Sequence, residues 1–180
     1  MTAKVTGDVI ATTPRDRTKT KQDYRTPQDL RRAVERRFGM ISIDLAASDG
    51  DEIVPLVKHF TPEEDSLKQN WLEAIVATVA WLNPPFKDIA RFSSKCVEWR
   101  REARVREAGI SPAVICMLVP ASVDSIWWNQ NVRGNAIAYA LAPRITFAGE
   151  TEPYPKPCAL CVYDPRHEAT NELHNWRWKP

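Results

Sequence analysis

The chain has 180 residues, 43% of them hydrophobic, and a formal net charge of +2. That length and apolar content fit one domain with an ordinary core, and the near-neutral balance excludes a polycationic protein whose overall field alone would hold nucleic acid. No apolar run approaches membrane-spanning length and the start lacks the apolar stretch of a signal peptide, so a cytoplasmic protein with no membrane partner is expected.

Basic charge is local rather than global. Between Arg15 and Arg37 there are nine Arg or Lys against four Asp or Glu. Residues 1–21 show little apolar periodicity and read as a flexible basic arm, either a solvated terminus or one that tracks phosphates. Thr26-Pro27 then opens a helix, Thr as cap and Pro in the first turn, with Leu30, Ala33, Val34 and Phe38 on one face and Gly39 as the stop.

Residues 40–47 read as a short buried strand ending in Asp44-Leu45-Ala46-Ala47, an acid and small residues that would leave room for a ligand at a strand's carboxyl end. The stretch 49–77 is broken by Pro55 and Pro62, and Thr61-Pro62-Glu63-Glu64 looks like a capped helical turn.

Residues 78–82 are apolar at both parities, as a central strand covered on both faces requires, and they run into Asn83-Pro84-Pro85-Phe86. Two prolines remove two backbone donors and fix two φ angles, so the strand must stop in a stiff turn. The side-chain oxygen of Asn83 and the carbonyl of Pro84 are then two acceptors suited to a planar group bearing NH2, with Phe86 as its stacking partner. An exocyclic amine on a base taken out of the helix has those requirements.

A helix follows from Lys87 to about Ala108, with Ile89, Phe92, Cys96, Val97 and Trp99 as its buried side, a Glu102–Arg106 ion pair in support, and Gly109 as its end. Residues 113–119 form another central strand closed by Pro120, and Ser122 caps a short helix over 125–130. Of the pair Trp127-Trp128, one ring is expected in the core and the other toward the cleft or substrate. Further strands are expected over 136–141, 144–147 and 158–163, the last two paired across the Pro-rich loop 153–157, while Trp176 and Trp178 receive no assignment. The cysteines at 96, 116, 158 and 161 sit in apolar segments, as reduced structural thiols do. Cys158 and Cys161 have zinc-ligand spacing, but that spacing on a strand points them to opposite faces, and no metal site is expected.

Several of these segments also match a family pattern. Tyr24-Arg25-Thr26-Pro27, Ile43-Asp44-Leu45-Ala46-Ala47, Asp65-Ser66-Leu67 with Trp71, Asn83-Pro84-Pro85-Phe86, Leu118-Val119-Pro120-Ala121 with Trp127-Trp128, and Arg144-Ile145-Thr146-Phe147 occur in one order. That order resembles the small Dam-type DNA N6-adenine methyltransferases of phages and prophages, whose target-amine motif is Asn, Asp or Ser followed by Pro-Pro-aromatic. The resemblance spans roughly residues 24–164. It implies an α/β, Rossmann-like methyltransferase fold: a mostly parallel central sheet, helices on both faces and a C-terminal antiparallel hairpin.

It further implies S-adenosylmethionine as cofactor, double-stranded DNA as partner, catalytic Asn83, Pro84, Pro85 and Phe86, and cofactor contacts at Tyr24, Thr26, Pro27, Asp44, Ala46 and Asp65. Thr26 and Pro27 would lie at the methionine end, and Asp65 near the adenosine, unless it is simply a helix-start acid. The broader pattern's Gly-rich loop is reduced here to Ala46-Ala47-Ser48-Asp49-Gly50. On this reading residues 22–165 are the catalytic domain and 166–180 a C-terminal tail. Cytosine N4, a protein glutamine amide, or a non-catalytic DNA-binding module are the competing expectations. The recognised DNA sequence and the oligomeric state are not legible.

Overall fold

The structure, a computed structural model, describes residues 24–47, 57–76, 78–105 and 112–179. The basic arm 1–21, most of the reduced glycine-rich loop, Arg106 and Gly109 lie outside the described residues.

The fold is mixed α/β, built on a seven-stranded sheet. Along the chain come α1 (Gln28–Phe38), β1 (Ile41–Asp44), β2 (Lys58–His59), α2 (Trp71–Ala74), β3 (Val79–Leu82), α3 (Ile89–Arg104), β4 (Val114–Pro120), α4 (Ile126–Asn131), β5 (Ile137–Ala142), β6 (Cys158–Tyr163) and β7 (Leu173–Arg177). The strands lie in the order β2-β1-β3-β4-β6-β5-β7. β1 to β4 are mutually parallel, β6 runs antiparallel to both β4 and β5, and β7 is parallel to β5. The expected mostly parallel sheet with an antiparallel part is therefore present.

Two expectations need correction. The antiparallel partner of β6 within the hairpin is β5, because 144–147 is no strand. Ile145 and Phe147 are buried at alternate positions, which imitates a strand pattern. The opposing 153–157 segment has prolines at 153, 155 and 157 and cannot donate a ladder. The extended 144–148 segment instead takes single bonds, Tyr154 N–H to the Ile145 carbonyl at 2.7 Å and Ala148 N–H to the Arg25 carbonyl at 2.9 Å.

The stretch set aside as a tail, 166–180, supplies the edge strand β7. Its sequence, Leu-His-Asn-Trp-Arg, hides this because an edge strand needs little apolar patterning. Trp176 and Trp178 are buried all the same. Arg37 lies over the rings of Tyr139 and Trp176 at 4.7 and 5.0 Å, and Trp178 Nε1 donates to the Pro143 carbonyl at 2.7 Å.

Alternate strand residues divide between two core clusters, as strands apolar at both parities require. Val79, Trp81, Val114, Cys116, Leu118, Cys158 and Leu160 share one with Leu30, Ala33 and Val34 of α1. Ala80, Leu82, Ile115, Met117, Val119 and Cys161 share the other with Phe92, Cys96 and Trp99 of α3 and Trp128 of α4. Cys158 and Cys161 thus fall in different clusters, and all four cysteines are buried and free. Burial pushes the Cys158 thiol up to about 12, which keeps it protonated and inert near neutral pH.

Helix ends are set close to the expected places. At Gly39 a φ of +114° and only 3.2 Å from a would-be Cβ to Thr78 make glycine the fitting residue. α3 starts two residues late, after a 3-10 turn over Phe86–Asp88. α4 is capped by the Ser125 hydroxyl, which accepts from Trp128 N–H, rather than by Ser122.

Candidate active site

β1 and β3 are parallel neighbours with Asp44 opposite Trp81, so the acid that ends one strand and the amide that follows the other emerge side by side at the sheet's carboxyl edge. The last backbone link there is Leu45 N–H to the Trp81 carbonyl, at 2.8 Å. Beyond it Pro84 and Pro85 have no donors, the pairing stops, and a cleft opens.

Its cavity volume is about 380 Å³, ordinary for a small-molecule site. Tyr24, Thr26, Asp44, Ala46, Asp65, Asn83 and Pro85 line it, so these residues, far apart in sequence, share one cleft. Three nominated residues do not line it. Pro27 is the N-terminal flank of α1, Pro84 is buried, and the half-buried ring of Phe86 is engaged elsewhere. Phe86 stacks on Tyr24 at 5.4 Å and meets Phe147 and Tyr154 edge-on at 6.4 and 5.7 Å. Tyr24 is the member of this four-ring cluster that lines the cleft.

Asn83 is the most informative side chain. Its Nδ2 donates to the Tyr24 carbonyl at 2.5 Å and to Thr26 Oγ1 at 3.3 Å. Its Oδ1 is buried and has no hydrogen-bond partner among the described residues. A buried acceptor left unmatched costs on the order of 1–3 kcal/mol, which is a reason to look for a ligand donor. Thr170 Oγ1 shares this property but does not line the cleft.

Thr26 does not cap α1. That helix begins without a side-chain cap, and the Thr26 hydroxyl accepts instead from Trp81 Nε1 at 3.2 Å and from Asn83.

The two acids differ. Asp44 is only 2% exposed and its Oδ1 accepts from Ala46 N–H at 2.9 Å, which shapes the turn out of β1. Asp65 stands in the left-handed region at φ 47°, a strained backbone for a residue other than glycine and one that clusters at functional sites. Its carboxyl is held below the ordinary range by the hydrogen bond from Lys68, 3.0 Å away.

Sequence reasoning missed Phe60, Lys87, Asp88 and Arg91, all of which line the cleft. The charged trio follows the Pro-Pro turn directly, and its spacing on the first turn of a helix could have placed it. Phe60 lies just past the two-residue β2, and nothing local marks it. Also missed was Lys95, whose Nζ donates to the carbonyls of Ser66, Leu67 and Gln69 at 3.3, 2.6 and 2.7 Å and so holds the segment that carries the Ser66–Leu67 wall. Among the described residues no group of His, Cys, Asp and Glu could hold a metal, and no helix is long and apolar enough to cross a membrane.

The fold and site define a mixed α/β protein with a cleft at its sheet's carboxyl edge, lined by Asn83 and by three acids, Asp44, Asp65 and Asp88. The model of the family described as DNA N-6-adenine-methyltransferase (Dam) matches residues 13–158, most of the chain, and the chain belongs to that family. No curated protein matches it. Membership supports DNA methyltransferase activity, with S-adenosylmethionine as the implied methyl donor and DNA as the implied substrate.

Proposed function

We propose that the protein methylates the N6 amine of adenine in double-stranded DNA by direct transfer to a base turned out of the helix, and that its sheet is a Rossmann-like methyltransferase scaffold with helices on both faces. The division of the core into one cluster with α1 and another with α3 and α4 supports the second part. The unmatched, buried Oδ1 of Asn83, a residue that lines the cleft, carries the first. A conjugated amine is a poor nucleophile. Accepting one of its hydrogens at Asn83 Oδ1 raises electron density on nitrogen and fixes its direction, so that positioning and electrostatics supply most of the acceleration.

The residues present fit the cofactor. Asp44, Ala46 and Asp65 line one cleft, which offers carboxylates for the hydroxyl and amine groups of the cofactor. S-adenosylmethionine, when bound, supplies an electrophilic methyl carbon on a sulfonium. Pro84 and Pro85 stiffen the turn that holds Asn83, and the extrahelical base lies against the ring of Tyr24, which Phe86 backs from behind. Lys87 and Arg91, the latter paired with Asp88 at 3.6 Å, are the cationic residues of the cleft and the candidates to meet a phosphate.

Incubation with methyl-labelled S-adenosylmethionine and unmethylated duplex DNA, followed by nucleoside digestion, tests this. Label recovered as N6-methyldeoxyadenosine is the expected result. Label as N4-methylcytosine, or on a protein glutamine, overturns it.

A further inference from the structure

We infer that Thr26 is a positioning residue: its hydroxyl, together with the Tyr24 carbonyl, locks the Asn83 amide in the orientation that leaves Oδ1 as the acceptor at the cleft. This rests on the reading of Asn83 as the acceptor for the substrate amine. The two ends of an asparagine amide have nearly the same shape, and a half-turn about the last torsion would present a donor where an acceptor is needed.

Two partners forbid the half-turn. The Tyr24 carbonyl can only accept, and it stands 2.5 Å from Nδ2, so a flipped amide would set two oxygens against each other. Thr26 Oγ1, at 3.3 Å, could by itself either donate or accept. Trp81 bears on that choice. Its ring, 1% exposed, brings a donor-only N–H to 3.2 Å from the same oxygen. With the indole and the amide both donating, the two lone pairs of Thr26 are used and its own proton points elsewhere. Control therefore runs from a buried strand residue, through a hydroxyl 55 positions earlier in the chain, to the reacting amide.

The segment that does this is itself anchored. Arg25 bridges to Ala148, and the Tyr24 ring packs at 4.8 Å from Phe147. Two consequences follow. Thr26 has only a proton to offer a bound cofactor, never an acceptor. Asn83→Asp, a change within the range of the family's motif, would place a carboxylate against the Tyr24 carbonyl in this chain.

The test uses Thr26→Val, which keeps the shape and removes the hydroxyl, beside Thr26→Ser, which restores it. Three quantities are read: the single-turnover rate of methyl transfer at saturating cofactor, the cofactor Kd, and the side-chain amide signals of Asn83 by NMR, assigned by their loss in Asn83→Ala. The expected result is a rate reduced by roughly tenfold to a hundredfold in Thr26→Val with Kd changed by less than about threefold, most of the loss recovered in Thr26→Ser, and the Asn83 signals shifted in the valine variant alone. A wild-type rate in Thr26→Val, or a loss seen wholly as weaker cofactor binding, overturns the inference. If the wild type transfers no methyl group to DNA, the proposed function fails. The NMR comparison then decides alone, and Asn83 signals unmoved in Thr26→Val reject the positioning role.

Discussion

The carboxyl ends of β3 and β6 point to opposite ends of the sheet, and each is followed by a polar side chain treated in a contrasting way. After β6, Asp164 is saturated. Its Oδ1 accepts from Arg166 N–H and Nε at 2.9 Å each, and its Oδ2 from Arg166 Nη2 at 2.8 Å and His167 Nδ1 at 2.9 Å. Arg100 closes the same loop from α3 by donating to the carbonyls of Asp164 and His167, and Arg104 pairs with Glu168. After β3, Asn83 has both donors matched and its acceptor unmatched. A corner whose polar groups are all answered by the chain itself contributes stability. A corner rigidly held on one side and unanswered on the other is prepared for something outside the chain.

The largest effect expected from this contrast is at Asn83. Asn83→Ala should lower the single-turnover rate of methyl transfer on the order of 100- to 1000-fold while cofactor affinity stays within about threefold, a loss of the size seen when one oriented polar group is removed from a transition state. Equilibrium binding of the cofactor and label transfer to DNA check the two halves separately. Activity near that of the wild type would show that the unmatched oxygen is incidental and that the two corners do not differ in kind.

Asp164→Asn should instead cost stability, about 1–2 kcal/mol at pH 7, with the transfer rate intact. The pH dependence distinguishes the charge from the shape. Burial would raise the Asp164 carboxyl, but hydrogen bonds from Arg166 and His167 outweigh it and the net direction is down from 3.8. A folded-state value below the unfolded one adds stability above the unfolded value, and that stability is lost as pH falls through the folded value. The gap between wild type and variant should therefore be full at neutral pH and close below about pH 4, as urea denaturation at stepped pH would read. A variant that unfolds like the wild type at pH 7 but transfers methyl groups slowly would reverse the assignment of the closed corner.

How far the sequence disclosed this contrast depends on whether a feature is local. The Pro-Pro turn, the parity of β3 and β4, and the apolar faces of α1 and α3 follow from single residues and short spacings, and the structure has them where expected. The gathering of Tyr24, Thr26, Asp44, Asp65 and Asn83 at one cleft was legible through the order of motifs rather than through any physical signal along the chain. The misses are long-range. Thr26 looks like a helix cap until Trp81 and Asn83 are placed beside it, and Phe86 looks like a free stacking ring until Tyr24, Phe147 and Tyr154 surround it. β7 is an edge strand whose apolar contribution is concentrated in Trp176, with Trp178 just beyond it, too few residues for a period-2 signal.

The smallest effect sharpens the contrast, because Lys95 is a saturated group within reach of the open corner. Its three donors answer three carbonyls, and its ammonium lies 5.1 Å from the centre of the Trp71 ring. Burial pushes its pKa down from the usual lysine range. Lys95→Met keeps the apolar stem and leaves the carbonyls of Ser66, Leu67 and Gln69 without that donor, loosening the wall that Ser66 and Leu67 give the cleft. On the proposed function this wall holds cofactor and not the reacting amine, so the cofactor Kd should rise roughly five- to tenfold while the single-turnover rate at saturating cofactor stays within about threefold. A rate lowered at saturation with Kd unchanged would place Lys95 on the same footing as Thr26. Saturation by the chain's own carbonyls would then no longer separate groups that support the fold from groups that direct the reaction.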